Sequence, residues 1–93
     1  MEVGILIVKL SIGEANSLKE KRKIIKSLID RLKNKYNLSV AETDLQNKWR
    51  EAEIGIAIVG NEKPYLNRVL EKTVDIIEAN NKTIMTDYEV HFW

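Results

Sequence analysis

Two segments of the chain are apolar at both alternating sets of positions, and this constrains the fold more than any other feature. Residues 2–12 (EVGILIVKLSI) and 54–60 (IGIAIVG) are rich in the β-branched and aliphatic side chains that favour strands. A strand that is apolar on both faces is typical of an interior position in its sheet. We therefore predict that these segments are the two central strands of one sheet.

Two amphipathic stretches predict helices. Ser17 and Glu20 form a capping box that starts the first helix, and Asn37, which tolerates a left-handed backbone, ends it. Asn61 is predicted to cap the second helix, with Pro64 in its first turn, where no amide donor is needed. Apolar side chains at helical spacing form one stripe on each helix: Leu18, Ile25, Leu28, Ile29, Leu32 and Tyr36 on the first, and Leu66, Val69, Leu70, Thr73, Ile76 and Ile77 on the second.

Two further strands, residues 38–44 and 83–92, complete the order β-α-β-β-α-β. Right-handed crossovers convert this order into a ferredoxin-like α+β sandwich, with two helices on one face of a four-stranded antiparallel sheet in the order 4-1-3-2. We predict a single domain over residues 1–93. Its two edge strands carry acidic residues, which keep edges from pairing with other chains: Glu42, Asp44, Asp87 and Glu89.

Composition excludes several classes of protein. The chain has no cysteine, which rules out disulfides and thiolate chemistry. The longest apolar run, Val3 to Val8, is far too short to span a membrane. The amino terminus carries Glu2 and lacks the basic segment of a signal peptide. We expect a cytoplasmic protein that does not associate with membranes.

Residues suited to catalysis are few. His91 is the single histidine, so no second histidine or cysteine shares a metal with it. The acidic pairs Glu42/Asp44 and Glu51/Glu53 are interpreted as solvated carboxylates at the sheet edge. No glycine-rich phosphate loop follows the first strand. We expect no enzymatic activity, no cofactor and no metal, and no small-molecule substrate is evident.

Positive charge is concentrated in the first helix. Residues 17–36 contain eight basic and two acidic residues, a net charge of +6, whereas the rest of the chain has seven basic and twelve acidic residues, a net charge of −5. Cations in a first helical turn oppose the helix dipole, so local stability does not explain them, whereas polyanion binding does. The alternative is an ordinary solvated polar face. The candidate RNA-binding residues of this helix are Lys19, Lys21, Arg22, Lys23 and Lys26.

The segment between the two middle strands contains a tryptophan between two cations, Lys48-Trp49-Arg50. We favour Trp49 as a plug that packs the hairpin onto the sheet, which is the commoner role of tryptophan. The alternative is an exposed platform on which bases of single-stranded RNA stack. Lys48, Trp49 and Arg50 therefore join the candidate RNA-binding residues.

The sheet face away from the helices is predicted to be apolar. Its central strands contain no aromatic residue, which excludes base stacking of the kind that RNA-recognition motifs use. An uncovered apolar face marks a protein interface. It predicts a homodimer or higher oligomer, unless a loop or Phe92-Trp93 folds over it. The candidate interface residues are Ile5, Ile7, Ala57, Val59 and Met85.

Three stretches carry a resemblance to a known family: SLKEKR, SVAETD and QNKW. With them, nearly the whole chain resembles the YlxP-like family of small bacterial proteins of uncharacterised function, least so in its last strand. The resemblance implies a ferredoxin-like fold and a genomic setting among transcription-termination, translation-initiation and ribosome-maturation factors. It brings no catalytic residues. The matched residues are Ser17, Leu18, Lys19, Lys21, Arg22, Asp44, Gln46 and Trp49.

The leading hypothesis is a non-enzymatic, cytoplasmic module that binds RNA or the ribosome through its basic first helix. The alternative is a homo-oligomeric interaction domain that uses the open sheet face. A third hypothesis, a small-molecule sensor with a site in the sheet, has no residue signature.

Overall fold

Six elements follow one another in the predicted order. The computed structural model describes residues 1–13 and 15–93. The elements are β1 (Glu2–Ser11), α1 (Leu18–Lys35), β2 (Ser39–Asp44), β3 (Glu51–Gly60), α2 (Lys63–Glu78) and β4 (Ile84–Phe92). The predicted bounds are close except at β3, which begins at Glu51 rather than at residue 54 because its pairing with β1 continues as far as Ser11.

All strand pairs are antiparallel and form one sheet in the order β2-β3-β1-β4. The two central strands are the two segments that are apolar on both faces, as the sequence predicts. Two helices cover one face of this sheet, so the ferredoxin-like α+β fold and the strand order 4-1-3-2 are confirmed. α1 lies against β2 and α2, whereas α2 lies against β1, β3 and β4.

Alternation along β1 and β3 separates a covered face from an open one. The even-numbered residues from Leu6 to Leu10 and from Ala52 to Ile58 are buried against the helices. Each aliphatic side chain withdrawn from water in this way contributes about 1.5–3 kcal/mol to stability. Most of the odd-numbered residues on the opposite face are half-buried or exposed, so no element of the described chain covers that face.

Met85 faces the helices, so its predicted place in the open-face interface is wrong. A β-bulge shifts the register between Lys9 and Leu10, so that Met85 lies opposite Leu10 while Asp87 lies opposite Lys9. Strict alternation would have put Met85 and Asp87 on the same face, and the extra residue of a bulge moves them to opposite faces.

The capping box of α1 is confirmed with one change of partner. The Ser17 hydroxyl accepts a hydrogen bond from the Glu20 amide at 3.1 Å, as predicted. The Glu20 carboxylate accepts from the amide of Asn16 at 3.1 Å, one residue before the amide that a standard capping box uses. The box therefore fixes both the first turn of α1 and the residue that enters it.

Two other predicted helix boundaries are wrong in detail. α1 ends at Tyr36 in an extended conformation that leads directly into β2, and Asn37 does not adopt a positive φ. α2 is preceded by Glu62 rather than Asn61 at the N-cap, and the Glu62 side chain makes no capping hydrogen bond. Pro64 lies in the first turn, as predicted.

Candidate nucleic-acid interface

Four of the candidate cations of α1 lie on the surface. Lys19, Arg22, Lys23 and Lys26 are all exposed, and they follow one another over the first half of the helix. Lys26 Nζ lies 2.9 Å from Asp30 Oδ2, and both side chains are largely exposed. The amino-terminal half of α1 therefore presents a cationic surface to solvent.

Lys21 is not on this surface, so its prediction as an RNA-binding residue is wrong. Its side chain is only 1% exposed, with Nζ 2.8 Å from Glu42 Oε2. Nζ also donates a hydrogen bond to the Leu45 carbonyl at 2.6 Å. The physical reason is its position: Lys21 precedes Ile25 by four residues, so it lies at the amino end of the buried stripe that continues through Leu28.

Glu42 lies beneath α1 and is not the solvated edge carboxylate that the sequence suggested. It follows Val40 by two residues and so shares the covered face of β2 with that buried side chain. The Glu42 side chain is 18% exposed, and its Oε2 makes no polar contact in the described residues apart from the Lys21 ammonium. A buried carboxylate is stable only when it is paired, so Lys21 is required where it is.

The loop from β2 to β3 folds around the Leu45 carbonyl. That carbonyl accepts hydrogen bonds from both Lys21 Nζ, at 2.6 Å, and the Lys48 amide, at 3.0 Å. Leu45 has a φ of 64°, a conformation that costs energy for a residue with a branched side chain. Asp44 Oδ1 accepts from the Leu45 amide at 2.8 Å. These contacts hold the strained residue in place.

The same loop is joined to the connection between β1 and α1. Arg50 Nε donates to the Ala15 carbonyl at 3.2 Å, and the Arg50 carbonyl accepts from the Ile12 amide at 2.9 Å. At the other side of the loop, Gln46 Nε2 donates to the Glu42 carbonyl at 3.3 Å. The β2–β3 loop is thus tied to the start of α1 both through Lys21 and through Arg50.

Trp49 is exposed, and our preference for a buried plug is wrong. Trp49 is 52% exposed, even though the next residue, Arg50, is joined to Ile12 by a backbone hydrogen bond. The loop needs no apolar plug because the polar contacts of Lys21, Asp44 and Arg50 already hold it. Lys48 and Arg50 on either side are exposed as well, which leaves an aromatic ring between two cations on the surface.

The exposed α1 cations and the β2–β3 loop lie at the same end of the molecule, joined through Lys21 and Arg50, and we call this region the basic end. Lys21 links its two parts, because it belongs to the same turns of α1 as the exposed cations and contacts the loop that carries the tryptophan. Such a surface offers phosphates several cations and offers a base one aromatic face. The basic end comprises Lys19, Arg22, Lys23, Lys26, Lys48, Trp49 and Arg50.

Sequence reasoning missed the partners of Lys21, although a signal for them was present. A lysine in step with Ile25 and Leu28 on the apolar stripe requires a buried anion. Glu42, in step with Val40 on the covered face of a strand, requires a buried cation. Matching the buried lysine with the buried glutamate would have predicted the ion pair between Lys21 and Glu42.

Four of the five predicted interface residues lie on the open face of the sheet. Ile5, Ile7 and Ala57 are half-buried, and Val59 is 63% exposed. A shallow apolar trough runs over Ile5 and Ile7 towards Trp93, which is 77% exposed. Phe92 lies on the covered side opposite Gly4 and leaves this face open.

Other residues of a type that could act in catalysis or bind a metal do not cluster in the described residues. His91 Nε2 lies 3.4 Å from Glu89 Oε2, and both side chains are exposed. In residues 1–13 and 15–93, no three histidine, cysteine, aspartate or glutamate side chains gather into a group that could hold a metal ion. No helix in the same residues is both long and apolar enough to cross a membrane.

Comparison with known proteins identifies the family. Residues 3–90 match the family described as "Protein of unknown function (DUF503)". The Bacillus subtilis (strain 168) protein called "Uncharacterized protein YlxP" is 31% identical over 77 residues, covering 83% of this chain and 84% of its own.

A solved structure supports the fold alone. The de novo designed protein Foldit4 superposes with a TM-score of 0.56 at 19% identity, over 100% of this chain and 97% of its own. The resemblance to YlxP-like proteins seen in the sequence is confirmed by the family match and by the Bacillus relative. The chain belongs to the DUF503 family of YlxP-like proteins.

Proposed function

We propose that this protein is a non-enzymatic module of the bacterial cytoplasm that binds single-stranded RNA, free or in the ribosome, through the basic end. The observation that carries the proposal is the exposed ring of Trp49 between two exposed cations, on a loop that Lys21 holds against the cationic half of α1. The genomic setting that the YlxP-like resemblance implies points in the same direction.

Two kinds of contact supply the affinity. Exposed lysines and arginines neutralise phosphates and release condensed counterions, which makes binding weaken as salt rises. An exposed indole stacks on a base and is worth about 1–3 kcal/mol, with little preference for sequence. The proposal is therefore a site of modest sequence specificity in which α1 contacts the backbone and the loop contacts a base.

Lys21 has a positioning role in this proposal. Its ammonium contacts Glu42 and the Leu45 carbonyl and its side chain is buried, so no phosphate reaches it. Its hydrogen bond sets the place of the β2–β3 loop relative to α1. Loss of Lys21 is expected to weaken RNA binding indirectly, by releasing the loop that carries Trp49.

A charge-matched pair of variants tests the proposal. The test variant replaces Lys19, Arg22 and Lys23 by Gln. The control replaces Arg31, Lys33 and Lys35 by Gln, which removes the same charge from exposed positions at the other end of the same helix. Binding of a labelled uridine oligonucleotide is measured by anisotropy across a salt series, and binding to ribosomal subunits by co-sedimentation.

The test variant should lose affinity and the control should lose much less. Each phosphate contact on single strands contributes about 0.7 to the slope of log affinity against log salt, so removing three contacts lowers the slope by about 2. Equal losses in the two variants would show that net charge alone drives binding. Unchanged affinity in the test variant would exclude the basic end.

The open face of the sheet supports a second candidate function, self-association. Val59 and Trp93 are exposed on this face, and a second shallow trough extends from Ile5 and Ile7 over small residues of β2 and β3 that include Ala41, Gly55 and Ala57. If this face pairs with a second copy, the wild type should sediment as a dimer or larger at micromolar concentration. Val59→Lys should then give a soluble monomer, because an unpaired ammonium at an interface costs several kcal/mol. A wild type that stays monomeric at high concentration excludes it.

A further inference from the structure

The outer edge of β4 is a third surface on which a partner could bind. In the antiparallel ladder with β1, Val3 and Trp93 exchange both backbone hydrogen bonds, at 3.0 and 2.8 Å. Such pairs alternate with pairs that are not hydrogen-bonded, so His91 and Glu89 also point their backbone groups at β1. The backbone groups of Tyr88, Val90 and Phe92 therefore point away from the sheet.

Most of these outward groups have no partner in the described residues. The Tyr88 amide donates to Asp87 Oδ1 at 2.9 Å. The alternation of the ladder points the amides and carbonyls of Val90 and Phe92 away from β1, and no side chain of residues 1–13 and 15–93 hydrogen-bonds to them. A nine-residue strand with this edge is a template for one more antiparallel strand.

A groove with an apolar floor and a polar wall lies beside this edge, between β4 and α2. Its volume is about 480 Å³. Its floor is formed by Leu70 and Val74 of α2 and by Tyr88 and Val90 of β4, which are 49% and 36% exposed. Side chains of an added strand that point to the covered side of the sheet would enter this groove, since they would stand beside Tyr88 and Val90.

The charges around the groove select the partner. On the covered side, the groove wall contributed by α2 carries Asn67 and three carboxylates, Glu71, Asp75 and Glu78, which disfavour acidic side chains in the groove. On the open side of β4, Asp87 and Glu89 stand where they would face the added strand. Like charges opposite one another destabilise a strand pair and opposite charges stabilise it. The edge is therefore complementary to a strand in which cations alternate with apolar residues.

We propose that β4 accepts a basic, extended segment of another protein as a fifth, antiparallel strand, with apolar side chains in the groove beside α2 and cations opposite Asp87 and Glu89. This surface lies at the edge of the sheet remote from β2, the strand that α1 covers, so it is independent of the basic end. Both surfaces are open at once, and a protein partner at β4 leaves an RNA site at α1 unobstructed.

A designed peptide tests the geometry directly. The probe is acetyl-Lys-Val-Lys-Val-Lys-Val-Lys-amide, whose three valines match the three outward residues of β4. One version is N-methylated at the three valine amides, which would bond to β4. The matched version is N-methylated at the amides of the last three lysines, which would point to solvent. Affinity is measured by titration calorimetry, and the site by amide NMR shifts of the labelled protein.

Methylation at valine should weaken binding by at least about tenfold, because each lost backbone hydrogen bond lowers affinity by about 2- to 12-fold. Methylation at lysine should change it little. Equal affinity of the two methylated peptides, or shifts that avoid β4 and α2, would overturn the proposal. Absence of binding by the unmodified peptide at millimolar concentration would overturn it as well.

Variants of the protein give an independent check. Val90→Pro removes an outward amide without breaking a bond to β1, and proline is tolerated at such edge positions. Val90→Thr is its control, since it keeps both the amide and the β-branch. Only Val90→Pro should abolish peptide binding, while uridine-oligonucleotide binding persists in both. Equal binding by the two variants contradicts strand addition. A wild type that dimerises without peptide, and that Val90→Pro makes monomeric, would show that a second copy occupies the edge instead.

If Val90→Pro does not fold, a charge variant replaces it. Asp87→Asn combined with Glu89→Gln removes the two charges that face the cations of the added strand, and Asn keeps the oxygen that accepts from the Tyr88 amide, so every backbone bond of β4 stays intact. Peptide affinity should fall and its salt dependence should lessen. Unchanged affinity in this variant would contradict the selection of a basic partner.

Discussion

The two edge strands of this sheet, β2 and β4, differ in length and in how far their outward backbone groups are satisfied. β2 has six residues and a bulge, α1 packs on its covered face, and Gln46 of the following loop donates to the outward carbonyl of Glu42, so its outer edge is short and partly satisfied. β4 has nine residues, outward backbone groups at Val90 and Phe92, and an open groove beside it. The fold is nearly symmetric in its two βαβ halves, but its edges are not.

One difference between the two sides is the ion pair between Lys21 and Glu42, which lies only beneath β2. Lys21 and Glu42 close the space between α1 and β2 and draw the Leu45 carbonyl onto the helix. On the other side, α2 has no buried charge to satisfy and leaves Tyr88 and Val90 partly exposed. A polar pair that must be satisfied under one edge thus fixes a loop there, while the edge without such a pair stays available.

Breaking the ion pair should have the largest effect on stability. Lys21→Met keeps the length of the side chain and leaves Glu42 buried without a cation. Removing one partner of a buried pair costs about 3–5 kcal/mol, and we expect the lower end of that range because Glu42 is 18% exposed. Urea denaturation measures the free energy of unfolding.

The double variant Lys21→Met with Glu42→Leu is the control for this prediction. It removes both charges, so most of the lost stability should return, although the hydrogen bond to Leu45 stays absent. If the double variant is as unstable as the single one, then packing of the lysine stem, rather than the unpaired carboxylate, accounts for the loss.

Core packing between β1, α2 and β4 should be less sensitive than the ion pair, and Gly4→Ala in β1 tests it. A Cβ at Gly4 would lie 3.0 Å from Leu70 Cδ1 and 3.5 Å from the Phe92 ring, at the inner side of β4. Overpacking a core costs about 1–3 kcal/mol. Thermal melting should show a loss of this size. Gly13→Ala, where a Cβ would meet nothing within 4 Å, serves as the control.

Trp49→Ala should separate stability from binding at the closed edge. Because the ring is 52% exposed, the free energy of unfolding should change by no more than about 0.5 kcal/mol. RNA affinity should fall by about 1–3 kcal/mol. In a Trp93→Phe background, iodide should quench Trp49 fluorescence strongly. Protected emission together with a large loss of stability would restore the plug interpretation.

The exposed ion pair of α1 should contribute least to stability, and it serves as a reference for the buried Lys21–Glu42 pair. Lys26 and Asp30 lie one turn apart and are 76% and 54% exposed. Lys26→Ala should cost no more than about 0.3–0.5 kcal/mol, and less at high salt. A loss comparable to that of Lys21→Met would mean that burial does not decide the strength of these pairs.

The sequence predicted the fold well but the candidate site only in part. Hydrophobic periodicity placed all six elements and both central strands, since burial imposes a period of two on strands and 3.6 on helices. Met85 was assigned to the wrong face because a bulge has no periodic signature. Lys21 was assigned to the surface because a charged side chain was taken as solvated, although its spacing from Ile25 put it on the buried stripe.

Local order along the chain was enough to determine the element order, the covered faces of β1 and β3 and the positive charge of α1. Only the tertiary structure decided which cation is buried, whether Trp49 is exposed and which edge of the sheet stays open. Each of these depends on contacts between residues distant in the chain, such as Lys21 with Glu42 and Arg50 with Ala15. Periodicity reports the face on which a residue lies, whereas its partner across the core is set by the packing of one element on another.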